Sequence, residues 1–288
     1  MSVTAPATVS LDKRLRELTA LQSFAHDHPR LFVLTGAGCS TASGIPDYRD
    51  AGGAWKRKPP VTIQAFRDSA LTRARYWARS FVGWPYFGHA QANAAHHALT
   101  ALQTQGRIAR LLTQNVDRLH QKAGTREVID LHGRLDEVIC LSCGLREARE
   151  AYQRTLIERN PDWLGLSADY APDGDADLDE LDFSTFGVPN CPRCGGLIKP
   201  DVVFFGENVP KSRVDEAMSA LVAADALLVV GSSLMVYSGY RFAVAAAKHG
   251  LPIAAINLGV TRADPLLSLK VEAACDLALP MLSELLSS

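Results

Sequence analysis

The chain has 288 residues, of which 21% are charged, and its formal net charge is −1. This length can bury a sizeable core in one large domain or in one domain with a small insert, and the near-neutral charge gives no basic field for nucleic acid. No run of about 18 apolar residues occurs, so no membrane-spanning helix is expected. The polar N-terminus lacks the apolar core of a signal peptide, which predicts a cytoplasmic protein.

The first predicted elements are an amphipathic helix over 11–28 and a buried strand over 31–34. The strand leads into a turn at Gly36, Ala37 and Gly38, where backbone N–H groups can face a phosphate. The third glycine of the dinucleotide fingerprint is missing, because position 41 is a threonine. An ordinary tight turn therefore remains the alternative to a nucleotide loop.

A Gly-x-Pro break follows this turn and leads to a carboxylate, an aromatic ring and a guanidinium at Asp47, Tyr48 and Arg49. The segment 51–60 is a loop by its composition. It is interpreted either as a mobile lid over a nucleotide or as a solvated basic connector. Helices are then predicted over 61–83 and 90–102.

Polar side chains follow the second predicted strand, over 107–113, at Gln114, Asn115 and Asp117. In doubly wound sheets, ligands bind at the carboxyl ends of the strands, so this cluster is a candidate site. Asp117 alone is equally well explained as a helix N-cap. Two adjacent amides exceed what capping requires, which favours a binding role for Asn115.

A third short strand, over 127–131, ends at His132. Its position at a third strand end makes His132 a candidate catalytic residue. A structural histidine before a glycine is the competing interpretation.

Two Cys-x-x-Cys pairs, Cys140 with Cys143 and Cys191 with Cys194, predict one tetrahedral zinc site. Four thiolates leave no open coordination position, so the zinc is expected to be structural. A redox-active dithiol is the alternative. The acidic stretch 169–182 between the pairs is interpreted as a solvated loop.

Further strands are predicted over 202–205, 226–230 and 253–256, with helices over 214–223 and 240–249. The first of these strands either pairs with an extended peptide at a sheet edge or belongs to the core. Strands that alternate with helices along the chain predict an α/β fold with a doubly wound parallel sheet.

Taken together, the ordered motifs resemble the sirtuin family over roughly residues 11–285. The resemblance rests on the two cysteine pairs and on the following motifs: Gly-Ala-Gly-Cys-Ser-Thr-Ala-Ser-Gly-Ile-Pro-Asp-Tyr-Arg at 36–49, Thr-Gln-Asn-Val-Asp at 113–117, Leu-His-Gly at 131–133, Lys-Pro-Asp-Val-Val-Phe-Phe-Gly-Glu at 199–207, Gly-Ser-Ser-Leu at 231–234 and Ile-Asn-Leu-Gly at 256–259.

Segments 76–85, 171–175 and 230–241 are similar to the class II branch, which includes the mitochondrial sirtuin 4 type and bacterial relatives. The resemblance implies an NAD-dependent protein-lysine deacylase that cleaves NAD to nicotinamide and forms O-acyl-ADP-ribose. It also implies a discontinuous Rossmann-type NAD domain over 11–135 and 199–285, in which part of 50–90 forms a helical or lid module. A small domain over 136–198 would hold one structural zinc.

The resemblance also implies the site residues. Catalytic roles fall to His132 as general base, with Asn115 and Asp117. NAD contacts are expected from Gly36, Ala37, Gly38, Ser40, Asp47, Tyr48, Arg49, Gln114, Asn115, Asp117, Gly231, Ser232, Ser233, Asn257, Leu258, Gly259 and Cys275. An acyl-lysine protein substrate would meet Val203, Phe204, Phe205, Gly206 and Glu207.

Tyr76 and Arg79 resemble a pair that grips acidic acyl chains in another sirtuin branch. Residues i and i+3 on a helix can converge on one carboxylate, which predicts a preference for glutaryl-type acyl groups over acetyl. The alternative is that Tyr76 packs in the core and Arg79 makes a surface contact. At the level of the whole protein, the alternatives are mono-ADP-ribosyl transfer from the same site and a non-catalytic module that binds NAD or acyl-lysine.

Overall fold

The computed structural model describes residues 11–56, 60–166 and 181–287. The segment 171–175 and most of the predicted acidic loop lie outside these residues, as do positions 57–59 of the loop over 51–60. None of the helices in the described part of the chain combines the length and the apolar character needed to cross a membrane.

The larger of the two sheets in the described residues is fully parallel, and its six strands lie in the order Ile129–Asp130, Ile108–Thr113, Leu31–Thr35, Ala226–Val230, Ile253–Ile256 and Leu269–Val271. This arrangement confirms the predicted doubly wound parallel sheet. Its strands are β1 (Leu31–Thr35), β2 (Ile108–Thr113), β3 (Ile129–Asp130), β7 (Ala226–Val230), β8 (Ile253–Ile256) and β9 (Leu269–Val271).

Helices cover both faces of this sheet, and each face has its own apolar core. One core joins the sheet to α1 (Leu11–Asp27), α4 (Ala94–Thr104) and α9 (Cys275–Leu285). The other joins it to α7 (Lys211–Val222) and α8 (Tyr237–Lys248). Because both faces are covered, the strands β1 and β7 are buried along their whole length.

The smaller sheet is antiparallel, in the order β5-β4-β6, and consists of β4 (Gly133–Cys140), β5 (Arg146–Ala148) and β6 (Ile198–Val202). It shares a separate aromatic-rich core with α2 (Ile63–Asp68), α3 (Ala70–His89) and α6 (Arg149–Arg159). This unit is called the small module below. The short helix α5 (Leu119–Lys122) follows β2. The domain limits predicted from sequence stay a prediction.

The predicted strand over 202–205 is wrong, because β6 ends at Val202 and the next residues form a loop. The helices predicted over 61–83 are α2 and α3, and they divide where the hydroxyl of Ser69 accepts the N–H of Thr72 at 3.1 Å and begins the second helix. That second helix continues past Gly83 and Pro85 to His89.

Candidate active site

A cleft of about 630 Å³ lies at the carboxyl ends of the parallel strands and reaches across to the small module. The structure brings most of the sequence-predicted residues into this cleft. Lining it are Gly36, Ala37, Gly38, Ser40, Asp47, Tyr48, Arg49, Tyr76, Gln114, Asn115, Asp117, His132, Val203, Phe204, Phe205, Gly206, Glu207, Gly231, Ser232, Ser233, Asn257 and Leu258. Arg79, Gly259 and Cys275 are not among the described residues that line it.

The glycine turn after β1 packs against the turn after β7. A Cβ atom on Gly36 would lie 2.7 Å from Cβ of Ser232, and one on Gly38 would lie 3.0 Å from Cα of Gly231. Gly36 N–H donates to the carbonyl of Val230 at 3.0 Å, and Gly38 N–H donates to the carbonyl of Gly231 at 2.8 Å. These two N–H groups are therefore bonded within the protein, and the predicted phosphate contact of the turn stays a prediction. The glycines bring two strand ends into contact beneath the cleft.

Three polar side chains at the ends of β1 and β2, those of Ser40, Asn115 and Asp117, form one hydrogen-bonded network. The amide of Asn115 donates to the Gly36 carbonyl and to Oγ of Ser40, each at 3.0 Å. Ser40 in turn donates to Oδ2 of Asp117 at 2.7 Å. Oδ1 of Asp117 accepts the N–H of Leu119, the first residue of α5, at 2.9 Å. The N-cap residue of this helix is Arg118, so the interpretation of Asp117 as the N-cap is wrong by one position.

Burial governs the ionisation of this network. Asp117 is 7% exposed, and burial raises the pKa of its carboxyl, while the hydrogen bonds from Ser40 and Leu119 oppose that rise. The carboxyl therefore has a fixed orientation on the floor of the cleft.

His132 lies where β3 gives way to β4, and both of its ring nitrogens have partners. Nδ1 is 3.0 Å from the carbonyl oxygen of Gln114, and Nε2 is 2.7 Å from Oγ of Ser238. Burial, with smaller contributions from the charges of Arg213 and Arg241, lowers the pKa of His132 to about 4, against the effect of the Gln114 carbonyl. The ring is consequently neutral near pH 7, and one of its nitrogens has a lone pair that can accept a proton.

A row of aromatic rings forms the rim of the cleft. The guanidinium of Arg49 lies 4.0 Å from the ring centroid of Trp55 and donates to the carbonyl of Gly53 at 2.8 Å. Trp55 makes edge contacts with Tyr48 and Phe205, at centroid distances of 6.1 and 5.8 Å. These contacts join the loop after the glycine turn to the opposite wall of the cleft.

Two ion pairs hold the polar residues of the rim. Asp47 pairs with Lys56 on the loop after the glycine turn. Lys199, whose side chain is 7% exposed, pairs with Glu207 at 3.1 Å. Glu207 also accepts the N–H of Phe204 at 2.7 Å, so this pair fixes the loop over 203–207.

The loop over 203–207 joins the two halves of the molecule. The N–H of Val203 donates to the carbonyl of His132 at 2.8 Å, and the carbonyl of Phe205 accepts the N–H of Ile63 at 2.9 Å. The loop therefore connects the candidate base to the first helix of the small module.

The predicted acyl-binding pair is divided. Tyr76 is 5% exposed, lines the cleft and packs against Phe66 and Phe204 at centroid distances of 5.6 and 5.2 Å. Arg79 is half-buried on the next turn of the same helix, outside the described lining. Joint binding of an acyl carboxylate by the two residues stays a prediction.

Gly259 and Cys275 pack against residues that line the cleft, Ala51 and Gly231 respectively. A Cβ on Gly259 would lie 2.3 Å from the carbonyl oxygen of Ala51, and the N–H of Val260 donates to the same oxygen at 2.9 Å. The buried Cys275 begins α9 beside Gly231. The predicted NAD contacts of Gly259 and Cys275 stay predictions.

The four cysteines of the two Cys-x-x-Cys pairs come together in the small module. All four sulfur atoms lie within 4.8 Å of one another. Sγ of Cys140 is 3.5 Å from Sγ of Cys194, and Sγ of Cys143 is 3.7 Å from Sγ of Cys191. Four ligands around zinc, with Zn–S bonds of about 2.3 Å, would stand about 3.8 Å apart. The residues fit one tetrahedral zinc ion, and none of the four is among the described residues that line the cleft.

Several cleft residues were not assigned a role from the sequence, among them Trp55, Ser238 and Arg241, which line the cleft, and Lys199, which supports its wall. Ser238 and Arg241 lie in segment 230–241, one of those that resemble the class II branch. Their side-chain contacts depend on how α8 packs, and no local pattern predicts that packing.

Comparison with known proteins gives consistent matches over most of the chain. Residues 36–238 match the model of the Sir2 family. An NAD-dependent protein deacetylase of Bordetella bronchiseptica is 65% identical over 266 residues, which is 92% of this chain and 97% of that protein. An NAD-dependent protein deacetylase of Xanthomonas campestris pv. campestris is 64% identical over 265 residues, covering 92% of this chain and 90% of that protein.

Two solved structures are also similar. A Sir2–p53 peptide–NAD+ complex has a TM-score of 0.75 and 29% identity, and the match covers 93% of this chain and 97% of that chain. Sir2 bound to acetylated peptide has a TM-score of 0.72 and 29% identity, with the same coverage.

Proposed function

Because the chain belongs to the Sir2 family and is an NAD-dependent protein deacetylase, we propose that its cleft carries out this reaction with His132 as the general base. The observation that carries the proposal is the environment of the His132 ring. Its Nδ1 is committed to a backbone carbonyl, so the proton-accepting nitrogen is Nε2, which a ribose hydroxyl of NAD must reach.

NAD, when bound, supplies a strong electrophile, because its ribose carbon C1′ carries a neutral leaving group, nicotinamide. The acyl oxygen of a lysine amide is a weak nucleophile and needs such a partner. We propose that Asp117, oriented by Ser40, stabilises positive charge that develops at this carbon. Tyr48 would shield the same position from water. The amide oxygen bonds to C1′ as the bond from C1′ to nicotinamide breaks. Neither residue requires the base, so nicotinamide can leave before His132 acts.

His132 then takes a proton from a ribose hydroxyl, which makes that oxygen the attacking group on the acyl carbon. The acyl group passes to ADP-ribose, and the lysine amine is released. Asn115 is proposed to hold the water that completes hydrolysis. Its side-chain amide is fixed by Gly36 and Ser40, which leaves little freedom of orientation.

Zinc holds the small module folded and takes no part in the chemistry, because the four thiolates fill its coordination sphere and stand apart from the cleft lining. The wall of the cleft opposite the sheet comes from the loop over 203–207 that follows β6 of this module. The acyl-lysine protein segment is proposed to bind along this loop.

The finer specificity also belongs to the proposal. Membership of the class II branch is supported by segment 230–241, which supplies Ser238 and Arg241 to the cleft. A preference for glutaryl-type acyl groups is supported by Tyr76 in the cleft wall, while the contribution of Arg79 rests on the sequence resemblance. The cytoplasmic location and the absence of a nucleic-acid partner stay predictions.

The proposal is tested by incubating the protein with NAD and a panel of acetyl-, succinyl- and glutaryl-lysine peptides, with products read by mass spectrometry. Deacylated peptide, nicotinamide and O-acyl-ADP-ribose are expected in equal amounts. His132→Ala is expected to lower deacylation by about 10²-fold or more, since it removes the general base. In the same panel, Arg79→Ala is expected to lower the ratio of acidic-acyl to acetyl turnover.

Several outcomes would contradict these statements. A target protein that gains the mass of ADP-ribose would indicate mono-ADP-ribosyl transfer, and binding of NAD without turnover would indicate a non-catalytic module. Full deacylation by His132→Ala would refute the assignment of the base. An unchanged acyl ratio in Arg79→Ala would refute the acidic-acyl role of that residue alone.

A further inference from the structure

The hydroxyl of Ser238 is within hydrogen-bond distance of Nε2 of His132, the nitrogen that accepts the proton in the proposed reaction. We propose that Ser238 is a positioning residue for His132, which holds the ring in its neutral Nδ1–H form and later accepts a hydrogen bond from the protonated Nε2. This inference rests on the proposed function, in which His132 is the base. Ser238 itself neither gains nor loses a proton in the reaction.

The hydrogen bonds around His132 assign its tautomer. The carbonyl of Gln114 can only accept, so Nδ1 must carry the proton of the neutral ring. Nε2 is then a lone pair, and the hydroxyl of Ser238, at 2.7 Å, is the donor to it. A hydroxyl can exchange these roles by rotation about its C–O bond, which no aliphatic side chain in its place could do.

The chain brings Ser238 to this position through a close approach of α8 to the strand end of β2. The next residue, Gly239, has no side chain, and a Cβ there would lie 2.3 Å from Oε1 of Gln114. Gln114 is fixed in turn, because its Nε2 donates to Oγ of Ser232 at 2.7 Å. A larger residue at position 239 would have to displace either the Gln114 side chain or the first turn of α8 with Ser238.

The loop that leads into α8 is itself constrained. Leu234 has a φ of +53°, a left-handed conformation that a branched side chain adopts only when its surroundings impose it, and its N–H donates to Oγ of Ser232 at 3.2 Å. The same serine therefore fixes both the loop and Gln114. The start of α8 is held on the base from two sides.

The role of Ser238 follows from the positive charge that His132 gains when it accepts a proton. The Ser238 hydroxyl first rotates its hydrogen away from Nε2, so that a ribose O–H can donate to the freed lone pair. The ribose O–H bond then breaks, an Nε2–H bond forms, and the ring becomes a cation. Arg213 and Arg241 both act electrostatically against this cation in a buried cleft. A rotated Ser238 hydroxyl offers its oxygen to Nε2–H, and hydrogen bonds to charged groups are stronger than those between neutral ones.

The test compares two reactions of the same protein. Exchange of labelled nicotinamide into NAD, in the presence of acyl peptide, reports the step before the base acts, whereas deacylation requires the base. Ser238→Ala is expected to lower the rate of deacylation at saturating substrates about tenfold or more and to leave exchange unchanged. Ser238→Thr keeps the hydroxyl and is expected to restore most of the deacylation rate.

A second measurement uses the protein without NAD. In ¹⁵N NMR of the histidine rings, His132 of the wild type is expected to show the Nδ1–H form, and its Nε2 signal is expected to move downfield in Ser238→Ala. Three results would each overturn the proposal: unchanged deacylation in the alanine variant, equal losses of exchange and deacylation, or a threonine variant as slow as the alanine one. A wild type without deacylation, or a His132→Ala variant with full activity, would instead refute the proposed function.

Discussion

Gly231 shows how a single hydrogen atom in place of a side chain determines the shape of the cleft floor. Its φ is +58°, and a Cβ there would lie 2.4 Å from the backbone nitrogen of Cys39. Gly250, at the end of α8, also has a left-handed φ, of +70°, but a Cβ there would meet no atom of the described residues within 4 Å, its own chain neighbours aside. Substitutions at the two glycines therefore distinguish the cost of a left-handed backbone from the cost of a steric clash.

We expect Gly250→Ala to lower the free energy of unfolding by about 1 kcal/mol, the cost of left-handed backbone alone. Gly231→Ala adds a clash with backbone and should cost a further ~1–3 kcal/mol and raise KM for NAD, because the two strand-end turns must separate. Urea unfolding and steady-state kinetics measure these effects. Equal losses of stability in the two variants would show that the contact between the turns is not tight.

The sequence allowed much of the cleft to be predicted at the scale of residues, for a physical reason. Polar residues and glycines directly after buried parallel strands must meet at one edge of the sheet. That rule placed Asn115, Asp117 and His132 in one cleft. It gave no role to Ser238, whose contact with His132 spans 106 positions in the chain and depends on the packing of α8.

At the scale of elements, the predicted strands are most accurate where both sheet faces are covered. The predicted limits 226–230 and 253–256 coincide with β7 and β8, because strands buried on both faces are short continuous apolar runs. No element was predicted over 133–159. There β4 carries Arg134, Asp136 and Glu137, which form ion pairs on its surface, so the apolar pattern of a strand is interrupted.

The zinc site is the element-scale feature that is open to a direct test. Cys143→Ser is expected to lower bound zinc from about one ion per chain to nearly none, since a tetrahedral site loses a ligand. Deacylation should be lost as well, although Cys143 is not among the described cleft residues, because β6 leads into the loop over 203–207. Metal analysis and thermal unfolding measure the change.

The matched control for this variant is Cys275→Ala, which removes a buried thiol outside the zinc cluster. Its zinc content is expected to equal that of the wild type. If Cys143→Ser retained its zinc, the four-thiolate site would be refuted. If it lost zinc and kept full deacylation, the small module would not support the cleft in the way its contacts indicate.

At the scale of the whole molecule, buried histidines make stability depend on pH. His96 and His120 are 0% and 1% exposed, and their rings lie 4.8 Å apart between α4 and the sheet. Burial lowers the pKa of His96 to about 4, with a smaller effect from His97, and burial with His96 lowers that of His120 well below its ordinary value. Unfolding exposes both rings, which then titrate near pH 6.5.

Between pH 6.5 and 4 the unfolded chain therefore binds more protons than the folded chain, and the free energy of unfolding falls as the pH is lowered through this range. Because of His96 alone, the free energy of unfolding is about 3 kcal/mol higher above pH 6.5 than at acidic pH, where His96 is protonated in both states. We expect His96→Gln to reduce the slope of stability against pH by up to about 1.4 kcal/mol per pH unit. Urea unfolding at a series of pH values measures this slope.

Leu99→Ala provides the comparison for this experiment. Leu99 lies on α4, as His96 does, and is buried in the core beneath that helix, but its side chain does not titrate. That variant should be less stable at every pH with an unchanged slope. A His96→Gln protein with the wild-type slope would show that His96 is not kept neutral by the fold.

The strand order also has a consequence for biosynthesis. β1 is synthesised before the other strands but lies in the middle of the larger sheet, between β2 and β7. Its pairing with β7 places Leu31 opposite Ala226. At ribosomal speeds of ~5–20 residues per second, the wait between the end of β2 and the start of β7 is on the order of ten seconds. During that time the apolar edge of Leu31–Thr35 has no partner strand, and such an edge invites pairing with other chains. We therefore expect this edge to be open to pairing with other chains until β7 has been synthesised.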